Sequence, residues 1–296
     1  MRAPLMKRCF IPVAAPAMRL HLYQLFVREY GTNNLSDCSN MCHESSCVAL
    51  NESLGIGKGS VTLEDFYEAE VIIILGQNPG TNHPRMLSAL QKAKDNGCTI
   101  ISVNPLPETG LMGFKNPQTL RGVLGLKAAL TDQFLQVKLN GDMALLKAIT
   151  KLMLEAEEKN PGTAFDLEFI KEKTVRIEEY LQNIRKYNIQ DLSEVAGISI
   201  EQIREAADVF IQKKKIIACW AMGLTQHKNA VATIKEVVNL LLLKGSIAKP
   251  GAGNCPVRGH SNVQGDRTMG IYEKPSKAFL DNIEKAFSFN PPQQHG

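Results

Sequence analysis

Residues 69 to 104 carry the pattern that most restricts how this chain can fold. Their sequence, AEVIIILGQNPGTNHPRMLSALQKAKDNGCTIISVN, contains two β-branched runs separated by a polar loop and a helical pattern. A strand, a helix and a second strand in this order form a β-α-β unit, whose two strands run parallel. Pro84 suits the first turn of the helix, and Gly97 suits the left-handed residue that ends it.

A second unit of the same kind begins at residues 213 to 245, where a buried-looking strand, a polar loop and an amphipathic helix closed by glycine follow one another. Helical patterns fill most of the sequence between the two units, at 142–158, 165–187 and 199–212. The predicted fold class is therefore α/β, doubly wound, with a mainly parallel sheet built from Rossmann-like β-α-β units.

Length and composition fit one large domain or two smaller ones. The 296 residues are 44% hydrophobic and 22% charged, with 34 basic and 30 acidic side chains. No long basic run interleaved with aromatic residues is present, so we expect no nucleic-acid partner. No apolar run reaches the roughly 18 residues that a membrane span needs.

Seven cysteines, an odd number in a chain of this size, favour free thiols in a reducing compartment. The N-terminal stretch MRAPLMKRCFIPVAAPAM has some features of a signal peptide, but two prolines interrupt its apolar part. We therefore predict a cytoplasmic location.

Residues 250 to 270, PGAGNCPVRGHSNVQGDRTMG, contain five glycines and almost no bulky apolar side chain. On that composition we expect no core element there. Such a stretch is either a flexible linker or a loop whose backbone approaches a ligand closely. Linkers are rich in Gly and Ser without fixed hydrogen-bonding side chains, whereas this one carries Arg258 and several amides, which favours a ligand loop.

Two polar loops follow the predicted strands, at residues 76–84 and 221–229. Ligands of doubly wound sheets lie beyond the carboxyl ends of the strands, and each loop leads into a helix N-terminus able to hold an anion. Neither loop is a Walker or GxGxxG motif. Taken singly, Asn78, Asn82 and Gln226 could simply cap their own turns. Together the loops predict a large phosphate-bearing ligand.

The stretch DCSNMCHESSC, residues 37 to 47, holds three cysteines and a histidine. Their spacing fits neither a zinc site nor an iron–sulfur cluster, and a disulfide conflicts with the predicted compartment. Two interpretations remain. The thiols are buried, the usual fate of cysteine, or one of them is an activated nucleophile or metal ligand beside His43.

Five segments resemble the molybdopterin oxidoreductases related to formate dehydrogenase. They are CSNMCHESS, LGQNPGTNHP, ISVNPLPETG, WAMGLTQH and PGAGNCPVRGHSNVQGDRTMG, and the resemblance runs in order from about Leu20 to the end. It implies a bis-molybdopterin guanine dinucleotide cofactor that holds molybdenum or tungsten. It also implies that Cys42 ligates the metal, that His43 accepts a proton, and that Arg258 orients a small oxyanion such as formate.

The same resemblance implies which residues contact the two dinucleotides: Gly76, Asn78, Pro79, His83, Asn104, Pro105, Met222, Gly223, Thr225, Gln226, Gly259, His260, Asn262, Gln264 and Gly265. Backbone amides suit a pyrophosphate, and side-chain amides suit a guanine. After the arginine, the formate-specific members resemble Gly-Gln-Asn-Asn, whereas this chain has Gly-His-Ser-Asn at residues 259–262. The substrate is therefore left open.

The resemblance also sets the expected organisation. Residues 1–37 would be a remnant N-terminal segment, 38–260 an α/β domain carrying the cofactor and the metal ligand, and 261–296 the start of a second cofactor-binding domain. Full-length relatives are expected to carry a 4Fe-4S cluster that this sequence does not encode. An electron-transfer partner or the missing domains on a separate chain would complete the enzyme.

We therefore expect this chain to be the central portion of a larger enzyme, incompletely folded around its cofactor and inactive in isolation. Two other functions stay open. One is a non-catalytic nucleotide-binding or interaction module derived from that enzyme. The other is a thiol hydrolase that uses Cys42 and His43.

Overall fold

The computed structural model describes residues 17–37, 39–260 and 263–296. Contacts divide the chain into two compact units, the first made of its residues up to Cys42 together with Arg258–Gly296, and the second of His43–Val257. The domain boundaries predicted after residues 37 and 260 stay a prediction.

A five-stranded parallel sheet forms the centre of the second unit, with the strand order β3-β2-β1-β4-β5. The order reverses direction between β1 and β4, as in a doubly wound sheet. The predicted α/β fold class is confirmed. The strands are β1 (Val71–Leu75), β2 (Thr99–Val103), β3 (Gln133–Leu135), β4 (Ile216–Trp220) and β5 (Gly253–Pro256).

Helices are numbered along the chain. Those of the second unit are α3 (Glu44–Leu54), α4 (Leu63–Glu68), α5 (Pro79–Asn82), α6 (Pro84–Asp95), α7 (Thr109–Met112), α8 (Leu120–Val123), α9 (Asp142–Lys159), α10 (Leu167–Lys173), α11 (Ile177–Arg185), α12 (Ile189–Ala196), α13 (Ile200–Gln212), α14 (Met222–Thr225) and α15 (Ala230–Leu243). Those of the first unit are α1 (Ala17–Glu29), α2 (Ser39–Cys42), α16 (Val263–Thr268) and α17 (Lys277–Phe287). No helix of the described residues is long and apolar enough to cross a bilayer.

The sequence of the central strand β1 is apolar without alternation. Every residue of β1 is buried, because helices cover both faces of the sheet. Val71, Ile73 and Leu75 pack in one core with α9, α13 and α15, and Ile72 and Ile74 pack in another with α4 and α6. The two faces of β1 therefore contribute to the two hydrophobic cores of the unit.

The first predicted β-α-β unit is confirmed in detail. Strands β1 and β2 pair in parallel, with Val71 opposite Thr99 and Leu75 opposite Val103. Helix α6 begins at Pro84, and Gly97 follows it with a left-handed φ of +91°. Proline at the first helical position and glycine after the last one are the residue types that these two backbone conformations favour.

The helical pattern at residues 165–187 forms two helices, α10 and α11, since the chain turns at Arg176 with a φ of +57°. One prediction was wrong. The glycine-rich stretch, expected to contain no core element, supplies the buried strand β5. A Cβ at Gly253 would lie 2.4 Å from the Ser60 Oγ atom. Glycine is thus what lets this strand pack in the core.

The first unit is held together by the buried side chain of Arg28 in α1. Its guanidinium donates hydrogen bonds to the Gln24 side chain at 2.6 Å and to the carbonyl oxygens of Gly270 and Tyr272 at 2.9 and 3.3 Å. Burial lowers the pKa of Arg28 to about 10. Arg28 therefore joins the N-terminal helix to the C-terminal segment of the same unit.

A buried carboxylate at the end of α9 gives a direct test of this fold. Glu157 accepts hydrogen bonds from the backbone N–H groups of Gly162, Ala164 and Phe165. Replacing it, Glu157→Ala, leaves these donors without their acceptor, so we expect the free energy of unfolding to fall by about 2–4 kcal/mol. Urea denaturation measures the change. The nearby, half-exposed Glu155 is the control, and an equal loss in Glu155→Ala would contradict the assignment.

Candidate functional site

Two glycines meet at the carboxyl edge of the sheet, directly after the two strands where its order reverses. Gly76 follows β1, Gly223 follows β4 by three residues, and the Gly223 N–H donates to the Gly76 carbonyl at 3.0 Å. A Cβ on Gly223 would lie 2.5 Å from Gly76 Cα, and one on Gly76 would lie 2.7 Å from Gly223 Cα. Two backbones can approach this closely only when both residues are glycine.

The loop after β1 is tied to the loop after β2 by side-chain amides. Asn78 accepts a hydrogen bond from the Thr81 N–H at 3.1 Å and donates one to the Glu108 carboxylate. Asn104, buried at the end of β2, donates to the Gln77 carbonyl at 3.0 Å. Burial raises the pKa of Glu108. The amides that the sequence linked to a ligand therefore also fix the shape of the two loops.

Gln77 adds a buried acceptor that the sequence did not predict. Its side chain is 3% exposed, and its amide N–H group lies 3.2 Å from the Met86 sulfur. Its side-chain oxygen has no hydrogen-bond partner among the described residues. A buried polar atom of this kind is costly unless something else supplies a donor. Its place directly after Gly76 makes it a candidate ligand contact.

The loop after β4 brings His227 close to Asp142, the first residue of α9. Asp142 is buried, which raises its pKa to about 6, and the charge of His227 opposes that rise. The sequence marked Asp142 only as the start of a helix. The three-residue strand β3 that precedes it was too short to be predicted, so nothing indicated that this helix starts at the carboxyl edge of the sheet.

His43 lies at the start of α3 in a chain of hydrogen bonds that ends at the sheet. Its Nδ1 atom lies 3.0 Å from the Ser46 hydroxyl, which accepts a hydrogen bond from the Trp220 indole N–H at 2.9 Å. The hydroxyl oxygen can accept a second hydrogen bond or donate its proton, so Ser46 pairs with either tautomer of His43 and fixes the ring rather than the position of its proton. Trp220 is the last residue of β4, so the sheet orients the imidazole ring.

The predicted site residues divide between the two units. The structure brings ten of them to the carboxyl edge of the sheet in the second unit: Gly76, Asn78, Pro79, His83, Asn104, Pro105, Met222, Gly223, Thr225 and Gln226. Cys42, Arg258, Gly259, His260 and Gly265 belong to the first unit. Cys42 is the half-buried last residue of α2, Arg258 is buried, and His260 is exposed. Asn262 and the side chain of Gln264 lie outside the described residues.

Comparison with known protein families identifies the family of this chain. Residues 10–289 match the family model of the molybdopterin oxidoreductases. The chain belongs to this family. The resemblance seen in the sequence motifs is thereby confirmed, and so is its extent along nearly the whole chain.

The relatives that this chain matches are longer proteins. An uncharacterized oxidoreductase of Mycobacterium bovis is 54% identical over 274 residues, which are 93% of this chain and 35% of the relative. Protein YdeP of Escherichia coli is 45% identical, and formate dehydrogenase H of the same species is 30% identical over 84% of this chain and 32% of its own length. The chain thus spans about a third of the length of these relatives.

A solved structure supports the fold. Acetylene hydratase from Pelobacter acetylenicus superposes with a TM-score of 0.62 at 19% sequence identity, and the match covers 79% of this chain and 28% of that protein. At this identity the similarity concerns the fold alone.

The contact between the two glycines predicts a matched pair of substitutions. In Gly223→Ala the new Cβ meets the backbone of Gly76, so we expect a loss of about 1–3 kcal/mol in the free energy of unfolding. In Gly113→Ala the nearest atom is the flexible Lys127 Cδ at 3.3 Å, and we expect little change. Urea denaturation of both variants measures the difference. Equal stability of the two variants would show that the glycine contact is unimportant.

Asp142 predicts a dependence of stability on pH. Because the folded-state pKa of about 6 lies above the ordinary value of 3.8, the folded state binds the proton more tightly. The resulting stabilisation of the folded state is complete below the ordinary pKa of 3.8, and it is lost as the pH rises through the folded-state pKa of about 6. As the pH rises from 3.8 to about 6, the free energy of unfolding of Asp142→Asn should therefore increase relative to that of the original chain. The exposed Asp208, replaced by asparagine, is the control, and a flat difference for Asp142→Asn would refute the burial effect.

Proposed function

We propose that this chain is the cofactor-binding part of a molybdopterin-dependent, formate dehydrogenase-like oxidoreductase. Family membership supports the cofactor class, and the 30% identity to formate dehydrogenase H supports the branch. The reaction would be a two-electron oxidation or reduction of a small oxyanion such as formate, at molybdenum or tungsten held by two molybdopterin guanine dinucleotides. A cytoplasmic location belongs to the same proposal, supported by the seven cysteines.

The observation that carries the proposal is the meeting of Gly76 and Gly223 at the carboxyl edge of the sheet. Nucleotides bind doubly wound sheets at the point where the strand order reverses, because the loops there open in opposite directions. Each of these loops continues into a long helix, α6 or α15, whose N-terminal N–H groups favour phosphate. The side-chain oxygen of Gln77, which has no partner within the part of the chain that the structure describes, adds an acceptor for the N–H groups of a guanine. The donor set of this edge therefore fits a guanine dinucleotide.

Three residues would act on the metal and the substrate. When bound, the cofactor supplies a redox centre that exchanges two electrons with the substrate. Cys42 provides a soft thiolate ligand, which suits a metal already surrounded by sulfur. Arg258 orients the oxyanion by charge-assisted hydrogen bonds. His43, whose ring is fixed through Ser46, accepts the proton that the substrate releases.

The proposal also covers the path of the electrons and the choice of substrate. The electrons leave through a 4Fe-4S cluster of the kind expected in full-length relatives, for which residues 1–296 offer no four-cysteine motif. The Gly-His-Ser-Asn sequence at residues 259–262 differs from that of formate-specific relatives, so substrates of similar charge and size belong in the assay beside formate.

The test is to produce the 296-residue chain in bacteria that make the cofactor and to measure bound metal and nucleotide. We expect GMP released from the denatured protein, and molybdenum or tungsten by elemental analysis at less than one atom per chain, since the chain spans about a third of its relatives' length. Cys42→Ser should keep the GMP and lose the protein sulfur ligand in X-ray absorption. Cys47→Ser is the control, because the Cys47 thiol donates to the Gly57 carbonyl at 3.6 Å.

Three outcomes would count against the proposal. Protein that releases GMP but holds no metal would support the non-catalytic nucleotide-binding module instead. Protein with neither would remove the cofactor from this chain. Equal loss of the sulfur ligand in both cysteine variants would remove Cys42 as the specific ligand.

A further inference from the structure

Residues 114–128, which include the single-turn helix α8, form a segment here called the apolar loop, and it presents aliphatic side chains to solvent. Leu120 is 77% exposed, Val123 71%, Leu124 70% and Leu126 53%. Single exposed apolar residues are common on protein surfaces, but four within seven residues form a patch of the kind that marks an interaction site. None of these residues belongs to the candidate functional site.

The apolar loop is held in a defined shape. At its base, Phe114 and Ala128 exchange two backbone hydrogen bonds of 2.8 Å. The Asn116 amide donates to the Gln91 side chain of α6 at 2.7 Å. A Cβ on Gly122 would lie 1.9 Å from the Asn116 carbonyl oxygen, so the inside of the loop is tightly packed. The four side chains are therefore exposed by the loop's own construction.

Within the segment itself the charged residues have one sign, while Glu108 and Asp132 flank it. Residues 109–131 contain Lys115, Arg121 and Lys127 and no aspartate or glutamate. Lys115 and Lys127 are exposed. The segment therefore presents apolar side chains and positive charge together, which selects an occupant that is apolar and anionic.

We propose that the apolar loop binds the surface of an anionic lipid bilayer. A lipid surface buries protruding aliphatic side chains without shape complementarity and attracts lysines through its headgroups. A second copy of this chain is the less suitable occupant, because a symmetric contact would place the cations of one loop against those of the other. The inference is independent of the proposed oxidoreductase activity.

Vesicle flotation with the 296-residue chain tests this proposal. We expect binding to phosphatidylcholine vesicles that contain about a third phosphatidylglycerol, at least about tenfold tighter than to phosphatidylcholine alone, and weaker at about 1 M salt. The double variant Leu120→Ser with Leu124→Ser should lower the affinity about tenfold or more by removing apolar burial. Lys115→Gln with Lys127→Gln should remove most of the salt dependence.

Matched controls separate the loop from general surface hydrophobicity. Val175 and Val195 are 87% and 59% exposed and lie outside the loop, so Val175→Ser with Val195→Ser should bind as the original chain does. Equal binding to neutral and anionic vesicles would overturn the proposal, as would equal losses in the leucine and valine variants. So would a dimer in light scattering that dissociates in the leucine variant, since it would assign the loop to a second copy. Thermal unfolding of each variant confirms that it is folded.

Discussion

The contact between Gly76 and Gly223 is the constraint on which the candidate site depends. Strands β1 and β4 are neighbours, yet the chain leaves them in opposite directions, so the backbones of their loops must pass side by side. The hydrogen bond of 3.0 Å between them leaves no room for a Cβ on either residue. The edge is therefore built from backbone, which leaves amide groups and helix N-termini as its main binding chemistry.

Buried and half-buried polar side chains around this contact are arranged so that each fixes a neighbour. Asn104 holds the carbonyl of Gln77, Asn78 joins its own turn to Glu108, and Trp220 orients His43 through Ser46. Each of these groups would be costly to bury without a partner, so the hydrogen bonds both stabilise the loops and limit their motion. A site held in this way needs little rearrangement when a ligand arrives.

Much of this arrangement follows from the sequence, and the exceptions have physical reasons. The β-branched runs of β1 and β4 predicted a parallel sheet because both of their faces are buried. Strand β5 was missed because glycine at residue 253 serves close packing against Ser60, which local composition does not show. Asp142 was not predicted as a site residue because the strand before it, β3, has only three residues. Gln77 was not predicted because the burial of its side chain does not show in the sequence. The roles of Cys42 and Arg258 came from resemblance, and they remain proposals.

Charge at the sheet edge constrains how a nucleotide would lie there. A phosphate near the Asp142 carboxylate would be repelled, and His227, which precedes α15, lies close to that carboxylate. The N-terminus of α6 begins at proline and carries no acidic residue in its first turn. Guanine presents N–H donors, which a carboxylate or the buried Gln77 oxygen can accept. Within the proposed function, the phosphates therefore belong over α6, and the base belongs beside an acidic or amide acceptor. The burial that raises the pKa of Asp142 would then favour such a neutral, donor-bearing partner over an anionic one.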